Sequence, residues 1–214
     1  MPRPTDSGFD VVASFYDPLA RLVYGRALQR AQEAALDTGL PSGRPRILII
    51  GGGTGWVLGQ VLKRQPKARV VYVEASGRML ARSEAWARRH LPQHLSQIEF
   101  QLGTEACLPP TACFDAVVTF FFLDLFTPVR LRSITARVGA VLVPGGRWLL
   151  ADFARPRSWW QHTLLKLMYW FFGFTTGISA RHRPPIEDEL AQLGLSPQLA
   201  GQFFGGMVEA SVWR

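Results

Sequence analysis

The sequence predicts an α/β fold: a seven-stranded, mostly parallel, doubly wound, Rossmann-like sheet with helices on both faces and an antiparallel C-terminal hairpin. Three observations lead there. The run Ile47-Leu48-Ile49-Ile50 is apolar at every position, as in a strand buried on both faces of a parallel sheet. Short β-branched runs then alternate with helix-length segments, which implies right-handed crossovers. Two short segments near the C-terminus are separated by Gly205-Gly206, a hairpin signal.

The elements follow in order. Asp17-Pro18 reads as a cap followed by proline in the first helical turn. Leu19, Leu22, Val23, Ala27 and Ala31 continue that helix with a helical period to about Gly39. After Ile47–Ile50, Val70–Val73 forms the second strand, and a helix covers about Arg78–His90. Ile98–Gln101 and Phe114–Phe121 are the third and fourth strands. Thr127-Pro128 opens a helix to about Val138, Pro144-Gly145-Gly146 reads as a turn, and Arg147–Ala151 is the fifth strand. Ser158–Phe174 is dense in aromatic residues. Pro185-Ile186-Glu187-Asp188-Glu189 opens a last helix with acidic residues where the helix dipole favours them. The hairpin takes Gln198–Phe204 and Met207–Trp213.

Composition narrows the function classes. The chain has 214 residues, 48% hydrophobic and 19% charged, which suits one globular domain over 1–214. The N-terminus lacks the charged head, apolar run and cleavage site of a secretory signal. Cys107 and Cys113 lack disulfide or metal-ligand spacing, so cytoplasmic reduced thiols and no metal are expected. The net charge of +8 invites a nucleic-acid partner, but the basic residues are scattered, with no block longer than Arg88-Arg89. Nucleic acid is therefore the disfavoured partner and a small molecule the favoured one.

The chemistry lies in Gly51-Gly52-Gly53-Thr54-Gly55, between the first strand and a helix starting at Trp56. Glycines allow a tight turn and let a ligand reach backbone atoms. Glu74 ends the second strand, where a carboxylate can accept hydrogen bonds from both hydroxyls of a ribose. A dinucleotide fingerprint needs G-x-G-x-x-G to seat a pyrophosphate on the helix N-terminus, and Trp56 occupies the third glycine's place. S-adenosylmethionine needs no phosphate seat and fits the loop better.

With Phe15-Tyr16-Asp17, Met79, Gly103-Thr104-Glu105, Phe114-Asp115-Ala116-Val117-Val118 and Leu142-Val143-Pro144-Gly145-Gly146, this frame resembles the class I S-adenosylmethionine-dependent methyltransferases. Among these it is similar to the ubiquinone/menaquinone biosynthesis group, from Phe15 to about Phe153. The resemblance implies that Gly51, Gly52, Gly53, Thr54 and Gly55 line the methionine part of the cofactor and Glu74 holds its ribose. It places Ala75, Ser76 and Met79 at the adenine edge, with Thr104 and Glu105 on the other side. Thr119 and Phe120 would sit beneath the sulfonium, and Tyr16 would fold over the cofactor. The chain departs from the family at Ile49 and Thr104, where acidic residues are usual.

Methyl transfer needs proximity and orientation, and a base only where the acceptor loses a proton. Asp124 and His162 are the candidate proton acceptors; His182 and Asp152 are weaker ones. The helix over 15–39 and the aromatic segment 158–174 are expected to cover the acceptor. Trp159, Trp160, Tyr169 and Trp170, beside Arg155, Arg157 and Lys166, would either pack, line an apolar pocket or rest peripherally on an anionic membrane. The expected activity is C- or O-methylation of a small apolar or aromatic acceptor. The alternatives are RNA methylation and a non-catalytic protein of the same fold.

Overall fold

The computed structural model describes residues 24–166 and 183–214. Tyr16, His182, Tyr169 and Trp170 lie outside the described residues, as does the expected helix start at Asp17-Pro18.

The sheet is built from β1 (Arg46–Ile50), β2 (Arg69–Glu74), β3 (Ile98–Leu102), β4 (Phe114–Phe120), β5 (Leu142–Phe153), β6 (Pro197–Phe203) and β7 (Val208–Trp213). Their order is β3-β2-β1-β4-β5-β7-β6, with β7 antiparallel to both of its neighbours. The helices that accompany the strands include α1 (Ala27–Gly39), α2 (Trp56–Arg64), α3 (Gly77–His90), α4 (Pro128–Gly139) and α5 (Ile186–Gln192).

The unbroken apolar run of β1 explains the layering. Alternate residues of a strand point to opposite faces, so Ile47 and Ile49 join one core while Leu48 and Ile50 join the other. The first core packs Leu28, Ala31, Ala35 and Leu36 of α1 and Val57, Leu58, Val61 and Leu62 of α2. The second takes Leu131, Ile134 and Val138 of α4 and Ile186 and Leu190 of α5. Helices thus cover both faces, as a doubly wound sheet requires.

The fifth strand differs from the expectation. It begins at Leu142, and Pro144-Gly145-Gly146 lies within it instead of forming a separate turn. Phe114 pairs with Leu142 and Ala116 with Arg147, so two steps along β4 answer five along β5. Gly145, at φ 75°, supplies the left-handed residue that this bulge requires. From Arg147 onward the pairing with β4 is regular.

Strand order reverses between β1 and β4, the neighbours at the sheet's centre. In open α/β sheets ligands bind beyond the strands' carboxyl ends at this reversal. The glycine loop leaves β1 there, and the turn Phe121–Leu125 leaves β4 beside it. Among the described residues no helix is long and apolar enough to cross a membrane.

Candidate active site

The glycine loop is held from beneath. The Tyr72 hydroxyl of β2 donates to the Gly53 carbonyl at 2.9 Å, and the Gly53 amide donates to Glu74 Oε2 at 3.2 Å. Glu74 Oε1 accepts the Ser76 amide at 3.0 Å. Glu74 therefore ties the loop to the β2 exit with both carboxylate oxygens. Each oxygen has a further lone pair, so this bracing is compatible with binding a hydroxyl pair.

Gly53 has φ 64°, and a Cβ built there would meet nothing within 4 Å. Neighbouring atoms of the described residues therefore do not demand a glycine at this point; the left-handed backbone does. Gly51 is the opposite case: its Cβ would lie 2.3 Å from the Phe122 ring, so the loop and the β4 exit turn interlock.

The other cofactor candidates are distributed around the loop. Thr54 is half-buried, and Gly55 precedes α2 at φ 96°. Ala75 is half-buried at the β2 exit. The Ser76 hydroxyl caps α3 by accepting the Met79 amide at 3.2 Å. Thr104 caps a short turn through the Ala106 amide at 3.3 Å. Glu105 is buried and bidentate to Arg130 of α4, at 2.6 and 2.8 Å. Ile49 is core, on the face toward α1 and α2. Thr119 is fully buried and accepts the Trp148 indole proton at 2.8 Å, a packing role inside the sheet. Phe120, on the opposite face, is almost covered.

Beyond Phe120 the chain is strained. Phe121 has φ 50°, a conformation that costs on the order of 1 kcal/mol or more for a non-glycine residue. Its amide donates to the Ala151 carbonyl at 2.8 Å and its ring packs edge-on against Phe153. The chain then enters the 3₁₀ turn Leu123–Leu125, in which Asp124 is buried. It is 3% exposed, as is Asp152 at the end of β5. Burial pushes the Asp124 carboxyl up to about 7, against a lowering influence from Arg183. Asp152 is raised well above the usual carboxylate range by burial first and then by the Asp124 charge. Tyr24, three residues before α1, is raised for the same two reasons, burial and the Asp124 charge. Arg183 donates to the Phe153 carbonyl and pairs with Glu187.

Sequence reasoning named Asp124 but left Asp152 as a weaker candidate. Nothing in the sequence signals that two carboxylates 28 positions apart meet. His162 is exposed on a helical stretch over 159–166, with Nδ1 held 2.9 Å from the Ser158 carbonyl, so the structure puts this candidate on the surface and not with the carboxylates. Trp159 is 81% exposed, while Trp160 packs edge-on against Phe204.

Comparison with known proteins agrees with this frame. Residues 47–146 match the model of a methyltransferase domain. The chain is 32% identical to a demethylmenaquinone methyltransferase of Thermus thermophilus over 149 residues, covering 69% of this chain and 65% of that one. It is 28% identical over 148 residues to a ubiquinone/menaquinone biosynthesis C-methyltransferase of Dinoroseobacter shibae, covering 69% and 58%. The chain thus spans less than two thirds of these relatives' lengths. Among solved structures, an O-methyltransferase family 2 protein from Planctomyces limnophilus in complex with apigenin superposes with a TM-score of 0.70 at 16% identity, covering 98% of this chain and 62% of that one. The [4+2]-cyclase SpnF superposes at 0.68 and 16% identity, covering 92% and 76%, so the fold alone does not decide the reaction.

Over residues 47–146, fold and motif are similar to those of the methyltransferase class. Within that class the chain is similar to the ubiquinone and menaquinone biosynthesis methyltransferases.

Proposed function

We propose that the protein transfers a methyl group from S-adenosylmethionine to carbon or oxygen of a small, apolar or aromatic acceptor. The observation that carries this is the braced glycine loop: Gly53 at φ 64°, and Glu74 held at the β2 exit by the amides of Gly53 and Ser76. Trp56, the first residue of α2, stands where a dinucleotide fold needs glycine.

In this reading Gly51, Gly52, Gly53, Thr54 and Gly55 hold the methionine portion, Glu74 the ribose, and Ala75, Ser76 and Met79 the adenine edge. Thr104 and Glu105 bound the adenine from the β3 exit, and Phe120 closes the floor below the methyl donor. Tyr16 is assigned over the cofactor by family resemblance. The cofactor supplies a methyl group already activated on sulfur. The protein's residues then have to orient it, exclude water and, for a hydroxyl or acidic carbon acceptor, take up a proton. Quinols fit the acceptor class, because two of the relatives are named for quinone methylation.

The nucleic-acid alternative finds little support on the surface. Arg64, Arg88, Arg130, Arg132, Arg155 and Arg183 are paired with carboxylates, and the basic residues are scattered along the chain with no block longer than Arg88-Arg89. Exposed Trp159 beside exposed Arg155, Arg157 and Lys166 favours peripheral contact with an anionic membrane from the cytoplasmic side.

Thermal unfolding with added ligands tests the cofactor assignment. At about 100 times its dissociation constant S-adenosylhomocysteine adds roughly 2.7 kcal/mol of stability, a rise of several degrees for a domain of this size. NADH leaves the transition unchanged. The opposite pattern overturns the assignment.

A further inference from the structure

Asp124, in the turn after β4, and Asp152, in β5, are brought to the same strand ends, where the Phe121 amide donates to the Ala151 carbonyl at 2.8 Å. Asp124 lies in the 3₁₀ turn Leu123–Leu125 after β4, and Asp152 is the penultimate residue of β5. Both are 3% exposed. Asp152 Oδ1 accepts the Phe153 amide at 2.8 Å. Its other oxygen, Oδ2, and Asp124 Oδ1 have no hydrogen-bond partner among the described residues. Two ionised carboxylates cannot be left so in a dry interior, because each unpaired buried charge is very costly. Two carboxyls that hold a single proton between them leave only one charge to be balanced, and each supplies the other's missing partner.

We propose that Asp124 and Asp152 hold one proton jointly and that Asp124 is the proton acceptor for the group being methylated, with Asp152 positioning it. This rests on the methyltransferase reading above. The pair sits at the carboxyl ends of the two strands beside the topological reversal. It belongs to the same turn whose Phe122 ring packs on Gly51, so it lies one short turn from the proposed methyl donor's loop. Arg183, which also holds Glu187, favours the ionised form of both carboxyls. Tyr24, three residues before α1, is a neutral hydroxyl near Asp124. Glu209, Asp152's cross-strand neighbour in β7, accepts from Gln202 at 3.0 Å. Burial leaves the Asp124 proton near neutrality, where a base that must deprotonate a phenol or quinol is most effective.

The step balances. The pair, carrying one proton, takes the acceptor's O–H or acidic C–H proton and becomes fully protonated. The electron pair left on the acceptor forms the new bond to the methyl carbon, and the carbon–sulfur bond breaks with its electrons to sulfur. S-adenosylhomocysteine and the methylated product leave, and the extra proton passes to water.

Two measurements test this. The first follows the carboxyl carbons of isotopically labelled aspartates by NMR through a pH titration of the wild-type protein, which requires no ligand. One resonance pair is expected to titrate near pH 7, and to be assigned by its loss in Asp124→Asn and Asp152→Asn. Both carboxyls titrating in the ordinary range near 4 overturns the shared proton. The second measures kcat/KM against pH with a naphthoquinol kept reduced, alongside calorimetric binding of S-adenosylhomocysteine. Asp124→Asn is expected to lose roughly 10²–10⁴-fold in kcat and the bend near pH 7, with unchanged S-adenosylhomocysteine affinity. Asp152→Ala moves the bend to higher pH, because the hydrogen bond that favours ionised Asp124 is lost. Full turnover with an unaltered bend in Asp124→Asn overturns the catalytic role. Failure of the wild type to bind S-adenosylhomocysteine overturns the methyltransferase reading instead, and leaves the titration to stand or fall separately.

Discussion

Glu74 does two tasks at one position. Its carboxylate fixes the Gly53 and Ser76 amides, and in the proposed reading the same oxygens receive the ribose hydroxyls. Glu74→Ala removes a charged acceptor whose bonds are worth about 1.5–3 kcal/mol each, and it releases the loop. Calorimetry is expected to show S-adenosylhomocysteine binding weakened at least tenfold in a folded variant. Glu74→Gln retains the shape but turns one acceptor into a donor facing a backbone amide, so its loss is expected to be similar. Unchanged affinity in both removes Glu74 from the site. The sequence exposed Glu74 because a carboxylate ending the strand after a glycine loop is a positional signal. It did not expose the brace, which depends on where the Gly53 amide points after the loop folds.

At the scale of elements, the glycine loop and the β4 exit turn form one interlocked unit. Gly51→Ala would place a Cβ 2.3 Å from the Phe122 ring at φ 69°, combining a clash with a left-handed backbone. Overpacking of this kind costs about 1–3 kcal/mol. For a chain of this length that lowers the melting temperature by about 2–4 °C per kcal/mol. Phe122→Ala in the same protein removes the clash, so a double-mutant cycle is expected to show that the second change recovers part of the loss. Simple additivity in differential scanning calorimetry would show that the contact is not what couples the two segments. Packing at Thr119 makes a related point. Its hydroxyl is taken by the Trp148 indole across β4 and β5, whereas Phe120 turns to the opposite face. A strand's alternation allows only one of two consecutive residues to face a given ligand.

For the whole molecule, the buried carboxyl pair predicts an unusual pH dependence. The folded-state pKa of Asp124 is raised to about 7, and that of Asp152 is raised as well, above unfolded values near 4. Between these limits the folded chain binds more protons than the unfolded one. By linkage, the pair's contribution is fully present below about pH 4 and is lost as pH rises through about 7. Glu187, lowered by Arg183 despite its burial, acts in the opposite direction: its contribution is present above its unfolded pKa and lost as pH falls through its lowered folded value. Chemical denaturation is expected to show the wild type losing stability between pH 5 and pH 8. Asp124→Asn, without that charge, is expected to be the more stable protein at pH 8 by on the order of 1–3 kcal/mol. A wild type whose stability rises over this interval would contradict the assignment of raised carboxyls.

The sequence by itself determined the layering, the strand succession, the terminal hairpin and the glycine loop with Glu74. Each of these is written locally: an apolar run with no polar alternation, turn residues at the loops, and a carboxylate at a strand end. Only the tertiary structure decided the rest. The bulge that carries β5 through Pro144-Gly145-Gly146 depends on pairing with β4, which a turn signal alone does not reveal. The placement of His162 on the surface depends on which side of its helix faces the sheet. The meeting of Asp124 with Asp152 depends on the adjacency of β4 and β5 and on the turn that follows β4, neither of which is encoded in the identity or spacing of the two aspartates. Local patterns fix elements because they act through backbone preference and burial over a few residues. A buried charge pair exists only after distant segments have excluded water together, so it has no sequence pattern of its own.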